Sequence, residues 1–549
     1  MSLRIALDNQ PEFYTNLDLI QGRIILGLNR AEQVGSIVVK LEGESATALQ
    51  VPDSEYGVKP GPVQRPPGTI ASENHKILYK LQQVFPDEYY ASSSNPYGAY
   101  PLHAGEHTFP FKFKLPINNA CSDPMAMSQI GGVANAGGFG GGGLFGFGGV
   151  RVMDGSKQLY LRHVTKTLPP SLTGYPREAE IRYYIKVTIQ RPGLLKENWR
   201  YQIGLKFLPI EPPRPKKTDQ EAFARRPFTF NLRTPQPERK RSSFFGMRNE
   251  DSKNGSTSEP APGLDPAPSV EMTARLPHPS ILTCNQPIPL RLTAKKLANN
   301  PEDVYLVSFE MCLIGYTEVR AQSVYNRKLN RWVIVSNANI CIPLSTPEDE
   351  VSKEMVVPDD VWRNSPLPNT VAPSFATCNL SRKYELEIKL GVAWGKPKKG
   401  VAPKQPQVIY LPLHFSQLEV FSGISPPAEL LEAARSSRPG RATFNNGTPP
   451  RLPPRQSSVS SPSTSRPSSQ PAWQAPPQHQ TAPPPVHDPL YPPQLAPGQT
   501  VAPSNDAPPS YDEAMAESVT VPVDGMRPRP AYSGVTNENA PSHMPPEKS

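Results

Sequence analysis

The clearest pattern along the chain is an alternation of apolar and polar residues over short segments. In residues 181–189 every second side chain is apolar, and arginine, lysine and threonine stand between them. The same two-residue period occurs in residues 109–115 and 17–26. Such a period predicts half-buried antiparallel strands. Because amphipathic helical runs are scarce, we predict a β-sandwich over residues 1–213.

A second block of alternating segments predicts a second sandwich over residues 268–423. Residues 384–394 alternate most clearly, with their apolar members on one face. Residues 304–314 and 331–342 are predicted as further strands of this unit. The expected fold is therefore all-β, with two antiparallel β-sandwiches in tandem.

A glycine-rich segment, residues 122–150, interrupts the first block. It includes four consecutive glycines at 140–143. A phosphate-binding loop would need a G-K-[ST] sequence and a following helix, and the segment has neither. We therefore predict a flexible loop.

Residues 214–267 lose the hydrophobic period and are predicted to form a basic, disordered linker. Between Arg214 and Lys253 there are eleven lysines or arginines and five acidic residues. Such a linker could contact anionic membrane lipids peripherally, at about 1 kcal/mol per basic residue. A solvated linker that simply carries charge is an equal alternative. No nucleic-acid-binding module accompanies the charge, so no nucleic-acid partner is predicted.

Two hydroxyl residues in this linker, Ser242 and Ser243, directly follow three basic residues. This is a candidate site for a basophilic kinase, and a phosphate there would cancel local positive charge. An unmodified linker and a nuclear-localisation signal are the alternatives that the motif leaves open.

Residues 424–549 are rich in proline and serine and are predicted to be disordered. The whole chain contains 70 prolines in 549 residues, with a mean hydropathy of −0.48. A brief helical segment is expected at 427–435, before the tail proper.

The tail contains a P-P-x-Y motif formed by Pro508, Pro509 and Tyr511. The prolines preorganise a polyproline II helix, so docking into the aromatic groove of a WW domain costs little ordering entropy. Tyr511 then supplies one large side chain for a neighbouring pocket. A chance match is the alternative in so proline-rich a tail. Partial copies, which lack the first proline and are better explained by chance, occur at Pro489, Tyr491, Pro530 and Tyr532.

Cysteine and histidine spacing predicts neither a metal site nor an enzyme. The five cysteines lie far apart with no C-x-x-C pair, which argues against zinc, against a disulfide framework and for a reducing compartment. No H-E-x-x-H or G-x-S-x-G motif is present, and we predict a packing or turn role for His103 and His107. No cofactor is predicted, and no run of apolar residues is long enough for a signal peptide or a membrane span.

Three segments together resemble the arrestin fold as used by the fungal arrestin-related trafficking adaptors, the α-arrestin branch. Residues 102–116 resemble the family's G-x-H-x-F-P-F-x-F-x-L-P strand, and residues 168–172 its L-P-P-S segment. Residues 372–375, Ala-Pro-Ser-Phe, repeat a P-S-F mark in the second half. The glycine-rich insertion and the long basic linker depart from the family pattern.

The resemblance implies a non-enzymatic adaptor with two arrestin-like domains. Family members bring a WW-containing HECT-type ubiquitin ligase to plasma-membrane transporters or receptors, whose cytosolic segments they bind, and so promote endocytosis. Pro508, Pro509 and Tyr511 match the family's ligase-docking motif. The implied location is the cytoplasm, with recruitment to the plasma membrane and endosomes. A signalling scaffold that holds a receptor without consigning it to degradation is the alternative.

Lysine distribution suggests where self-ubiquitination of such an adaptor would fall. From Pro426 onward the chain contains one lysine, Lys548, so a ligase bound at Tyr511 finds almost no acceptor beside its docking site. A lysine-poor tail could equally be mere composition. We therefore expect self-modification on the sandwiches or the linker, where the candidate acceptors on a flexible tether are Lys216, Lys217, Lys240 and Lys253.

Overall fold

The described part of the chain is almost entirely β-structure. The structure is a computed structural model and describes residues 1–52, 66–87, 99–121, 163–193, 196–231, 267–299, 302–395, 408–428 and 430–431. Within these ranges the chain forms twenty strands and one 3₁₀ turn, Asp359–Val361. The predicted all-β fold class is confirmed.

The first lobe packs a three-stranded sheet against a five-stranded one. Its strands are β1 (Ser2–Leu7), β2 (Leu19–Leu28), β3 (Glu32–Val34), β4 (Ser36–Gln50), β5 (Ile70–Phe85), β6 (Tyr100–Leu102), β7 (Gly105–Lys114), β8 (Leu172–Tyr175), β9 (Ala179–Gln190) and β10 (Trp199–Leu205). The smaller sheet has the order β1-β2-β7, and the larger has the order β10-β9-β4-β5 with β8 beside β9. We call this unit the N-lobe.

The N-lobe strands form where the sequence alternates. In β7, Phe111 and Phe113 are buried while Lys112 between them is exposed. The strand predicted from residue 17 begins instead at Leu19, because Leu17 takes a left-handed backbone conformation with φ of 69°. His107 lies near the start of β7, and its Nε2 is 2.8 Å from the carbonyl oxygen of His103, which precedes that strand.

The second lobe packs a four-stranded sheet against a six-stranded one. Its strands are β11 (Glu221–Thr229), β12 (Ser269–Pro277), β13 (Ile281–Thr283), β14 (Arg291–Lys296), β15 (Val304–Ala321), β16 (Val324–Ser345), β17 (Glu354–Val356), β18 (Phe375–Ala376), β19 (Leu380–Trp394) and β20 (Ile409–Phe421). The smaller sheet has the order β11-β12-β14-β17, and the larger has the order β13-β20-β19-β15-β16 with β18 beside β19. We call this unit the C-lobe.

The alternation predicted for residues 384–394 is confirmed in β19. Tyr384, Leu386 and Ile388 are fully buried against the smaller sheet, and Glu385 and Glu387 between them are less buried. Strands β15 and β16 are longer than predicted and form one antiparallel hairpin across residues 304–345.

Strand β11 departs from the sequence prediction, because it lies inside the segment expected to be a disordered linker. It pairs with β12 along its whole length, and Ala222, Ala224 and Phe228 pack on the C-lobe core. Two alanines give a weak hydrophobic period, and Pro227 argues against a strand. Proline is tolerated here because β11 is an edge strand of its sheet.

The two ends of the segment 122–162 meet in the N-lobe. Asn118 and Thr167 form an isolated antiparallel bridge, and the Asn119 backbone N–H donates to the Lys166 carbonyl at 2.8 Å. The predicted glycine-rich loop, residues 122–150, itself lies outside the described residues.

The chain leaves the C-lobe at residue 421 and returns to the N-lobe. Leu430 packs beside Leu17 and beside the small cluster that contains Phe13 and Ile424. The Leu431 N–H donates to the Pro427 carbonyl at 3.2 Å, as in one helical turn; the rest of the helix expected at 427–435 lies outside the described residues. No helix in the described ranges is long and apolar enough to cross a membrane.

Candidate functional site between the lobes

The ends of two C-lobe strands insert into the N-lobe core. Val319 and Ala321 at the end of β15, and Leu380 at the start of β19, are buried within the N-lobe hydrophobic cluster. β15 spans 18 residues and stays paired with β16 as far as Ala321 and with β19 as far as Val319, so the end of the larger C-lobe sheet itself reaches the N-lobe. The lobes are therefore joined by apolar packing as well as by the chain.

Asn379 fastens this contact with buried hydrogen bonds to β4. Its Nδ2 donates to the Ser45 carbonyl at 3.0 Å and to Thr47 Oγ1 at 3.1 Å, and its Oδ1 accepts from Ser45 Oγ at 2.7 Å. Asn379 is only 2% exposed. A buried amide with these partners fixes the register of one lobe against the other, because an unpaired amide at this position would be costly.

Glu73 is the acidic centre of the same contact. Arg320 Nη2 donates to Glu73 Oε1 at 2.7 Å, and the Gln322 backbone N–H donates to Oε2 at 2.6 Å. Burial alone would raise the pKa of Glu73, but hydrogen bonds from His75 and Gln322 and the charge of Arg320 lower it below its ordinary value. Glu73 is therefore an ionised carboxylate of the N-lobe that contacts His75 of its own lobe and accepts hydrogen bonds from Arg320 and Gln322 of the C-lobe.

A group of sulfur and imidazole side chains lies next to Glu73. His75 Nδ1 is 3.3 Å from Cys121 Sγ, which is 2.9 Å from His163 Nδ1 and 3.8 Å from Cys378 Sγ. These four ligand atoms lie within 4.8 Å of one another. The N-lobe supplies three of these residues, and Cys378 comes from the C-lobe. We call them the His–Cys cluster.

The electrostatics of the cluster favour a thiolate. The hydrogen bond from Cys121 lowers the pKa of Cys378, and this effect together with bonds from His163 and His75 outweighs burial. Burial would lower the pKa of His75, but its bonds to Cys378 and Glu73 raise it overall. Two cysteines and two histidines are a donor set that can hold a metal ion.

A cavity of about 350 Å³ opens beside this contact. N-lobe residues 166–168 and 209–212 line one side, and C-lobe residues 373–376 and 418–422 line the other. Arg382 also lines the cavity and donates to Thr317 Oγ1 at 2.6 Å. The lining mixes proline, aromatic and charged side chains, and the volume lies in the range of pockets that bind small ligands.

A second contact between the lobes lies on the β15–β16 hairpin. The Lys328 ammonium forms an ion pair with Glu178, and the Tyr175 hydroxyl donates to Asn330. Both pairs bring the far part of the hairpin onto the turn before β9.

Most residues predicted as functional sites lie outside the described residues. Lys216 and Lys217 are described and are exposed on the connection that precedes β11. The proposed docking, phosphorylation and remaining acceptor residues lie outside: Pro489, Tyr491, Pro508, Pro509, Tyr511, Pro530, Tyr532, Ser242, Ser243, Lys240 and Lys253.

Sequence reasoning missed the His–Cys cluster. Its members are scattered along the chain, and a search for local C-x-x-C spacing cannot find residues that only the tertiary fold brings together. One available signal was that Cys121 directly precedes the glycine-rich segment 122–150 and that His163 follows it in the chain.

The described residues form a two-lobed, all-β protein whose lobes are held together by a buried contact. Residues 3–134 match the family model of the arrestin (or S-antigen) N-terminal domain. The chain therefore carries an arrestin N-terminal domain, and it has distant, partial homology to fungal arrestin-related trafficking adapters.

Two curated relatives carry that homology. Arrestin-related trafficking adapter 10 of Lachancea thermotolerans is 31% identical over 126 residues, which are 22% of this chain and 28% of that protein. The protein of the same description from Candida glabrata is 34% identical over 114 residues, 20% of this chain and 22% of that protein. The chain thus spans about a quarter of the length of each relative.

Proposed function

We propose that this protein is an adaptor that recruits a WW-containing HECT-type ubiquitin ligase to plasma-membrane transporters or receptors and so promotes their ubiquitination and endocytosis. The observation that carries the proposal is the occurrence, in one chain, of an arrestin N-terminal domain at residues 3–134 and a P-P-x-Y motif at Pro508, Pro509 and Tyr511. Proteins with arrestin domains are typically non-enzymatic adaptors, and the matched relatives are described as trafficking adapters.

The mechanism is bivalency. The lobes bind a cytosolic segment of the cargo, and the tail holds the ligase at a high effective concentration beside it. The cavity between the lobes supports this division, because it offers one concave surface to which both lobes contribute. The protein acts from the cytoplasm and is recruited to the plasma membrane and endosomes, with peripheral contact between the basic linker and anionic lipids.

The test is binding of the full chain to isolated WW domains of a HECT-type ligase. We expect Tyr511→Ala to abolish most of the binding and the ligase-dependent ubiquitination of the adaptor, because it removes the aromatic anchor of the motif. Tyr491→Ala and Tyr532→Ala are matched controls in the same tail and should retain wild-type affinity. Wild-type protein that does not bind WW domains would contradict the proposal and favour the signalling scaffold.

A folding control separates docking from stability. Phe111 is 3% exposed in the N-lobe core, so Phe111→Ala should lower the free energy of unfolding by about 3–5 kcal/mol. Tyr511→Ala should leave thermal unfolding unchanged. Equal losses of stability in the two variants would contradict the assignment of Tyr511 to a separate tail.

Self-ubiquitination is proposed to fall on Lys216, Lys217, Lys240 and Lys253 rather than on Lys548. The exposure of Lys216 and Lys217 supports this assignment. Mass spectrometry of diglycine-modified peptides from the ligase reaction tests it, and modification mainly at Lys548 would overturn it.

A further inference from the structure

We propose that His75, Cys121, His163 and Cys378 bind one zinc ion, and that this ion joins the two lobes. The inference rests on the described contact between the lobes and does not depend on ligase docking.

The chemistry of the donors selects the metal. Two thiolates and two imidazoles form the Cys₂His₂ set of structural zinc sites. Hard cations such as Mg²⁺ and Ca²⁺ prefer oxygen ligands, and the cluster offers none in its first shell. Four protein ligands fill a tetrahedral coordination sphere, so the site is a structural one, with no position left for a reacting water.

The spacing of the atoms fits a tetrahedron better than a covalent bond. Two sulfurs bound to one zinc ion at about 2.3 Å lie about 3.8 Å apart, and Cys121 Sγ and Cys378 Sγ are separated by 3.8 Å. A disulfide would require about 2.05 Å. The nitrogen–sulfur distances to His163 Nδ1, 2.9 Å from Cys121 and 3.9 Å from Cys378, bracket the value of about 3.5 Å for such a site.

Glu73 provides the outer-shell partner that zinc-bound histidines usually have. His75 Nε2 lies 2.7 Å from Glu73 Oε1, and both side chains are buried. An ionised carboxylate can only accept, so it fixes the proton on Nε2 and turns the lone pair of Nδ1 towards the two sulfurs.

Cys378 is held in place by its neighbours in the chain. Thr377 Oγ1 lies 3.2 Å from Ser45 Oγ, and Asn379 makes the hydrogen bonds to β4 described above. Arg320 Nη2 donates to the Cys378 carbonyl at 2.6 Å. The single C-lobe ligand is therefore presented to the N-lobe by a preorganised segment, which reduces the cost of assembling the site.

The position of the cluster defines what the ion does. Three ligands, His75, Cys121 and His163, come from separate parts of the N-lobe and Cys378 comes from the C-lobe, so one ion joins these N-lobe parts to each other and to the C-lobe. Loss of zinc should loosen the contact between the lobes while each sandwich keeps its own core.

The primary experiment measures metal in the full-length protein, purified under reducing conditions without added metal. We expect about one equivalent of zinc by inductively coupled plasma mass spectrometry. Replacement with Co²⁺ should give the visible d–d absorption of a tetrahedral site and a sulfur-to-cobalt charge-transfer band. A chain that holds no zinc, takes up none at a micromolar excess and gives no such cobalt spectrum overturns the proposal.

Variants locate the site. Cys378→Ser and Cys121→Ser should each lose the zinc equivalent, whereas Cys341→Ser, a change at an exposed cysteine, should retain it. Glu73→Gln should keep the ligands but weaken zinc binding about 10–100-fold in a chelator competition, as losses of outer-shell partners do. Because Cys378→Ser could also disturb packing, circular dichroism and the wild-type cobalt spectrum serve as independent measurements. Retention of full zinc by Cys378→Ser, or a Cys121–Cys378 disulfide in thiol-trapped cells, overturns the assignment.

Discussion

The two lobes bury charged side chains in different ways. In the N-lobe, Lys76 lies among carboxylates: it forms an ion pair with Glu42 and lies 3.4 Å from Glu44. Arg182 also pairs with Glu44 at 3.1 Å, and the Tyr184 hydroxyl donates to Glu42 at 2.9 Å. Every charge in this network therefore has a partner of opposite charge.

In the C-lobe the buried Lys296 has neutral partners. Lys296 Nζ donates to the carbonyl oxygens of Thr346 at 2.8 Å and Asp349 at 2.6 Å. The guanidinium of Arg382 lies 5.4 Å from the centre of the Trp332 ring and 5.7 Å from that of Tyr384. Backbone carbonyl dipoles take the place of carboxylates around Lys296.

The partners of each buried cation decide what its removal leaves behind. In the N-lobe, removal leaves a buried net negative charge, which is strongly destabilising. In the C-lobe, it leaves carbonyl groups without a donor, which costs less because these groups are neutral.

The largest effect is expected at Lys76. Lys76→Met should lower the free energy of unfolding by about 3–5 kcal/mol, because Glu42 and Glu44 lose their shared cation. Denaturant unfolding measures the change, with the exposed Lys112→Met as the control. The double variant Lys76→Met/Glu42→Gln should recover part of the loss. Equal stability of Lys76→Met and the control would show that the two carboxylates do not need the cation of Lys76.

A smaller loss is expected at Lys296. Lys296→Met should cost about 1–3 kcal/mol, since the Thr346 and Asp349 carbonyls lose a donor but no charge is left unpaired. The same unfolding measurement applies, with Lys217→Met at an exposed position as its control. A loss as large as that of Lys76→Met would show that partner charge does not decide the cost.

Acid should affect the N-lobe network selectively. Burial would raise the pKa of Glu42, but the charge and hydrogen bond of Lys76 lower it below its ordinary value of 4.5. A carboxylate whose pKa is lowered on folding contributes stability above its unfolded pKa and loses it as the pH falls through the folded value. We expect Glu42→Gln to show a shallower loss of stability than the wild type below about pH 4.5. Parallel pH profiles would contradict this assignment.

The smallest effect is expected at the exposed pair between the lobes. Glu178 is 47% exposed, so Glu178→Ala should change stability by about 0–1 kcal/mol. Thermal unfolding at two salt concentrations measures it, because a solvent-exposed ion pair weakens with added salt. A loss of several kcal/mol would mean that the Lys328 contact, and not the Asn379 contact, holds the lobes together.

Local patterns were sufficient for the strands but not for the site. Strands β9 and β19 could be predicted because each has one face on a core, so burial imposes a two-residue period on the sequence. Strand β11 was not predicted, because its alanines contribute little to a hydrophobic period and because Pro227, which argues against a strand, is tolerated at the edge of a sheet. The tail motif at Tyr511 remains a prediction.

The contact between the lobes could not be predicted, for a physical reason. Asn379 and Ser45 belong to different sandwiches, and the hydrophobic period of a strand gives no information about which residues of the other sandwich it contacts. The same holds for Cys378 and His75. Local spacing detects metal ligands on one loop or helix, whereas this cluster draws its members from separate segments of both lobes.

The bridge between Asn118 and Thr167 also marks a place where the protein can be engineered. Since the two ends of the segment 122–162 already meet there, its length has little influence on folding: each doubling of a closed loop costs only about 0.6 kcal/mol. A fluorescent domain with adjacent termini could replace that segment between the bridged ends. Such a chimera would report the movement of the protein in living cells and leave both the amino terminus and the P-P-x-Y tail unmodified.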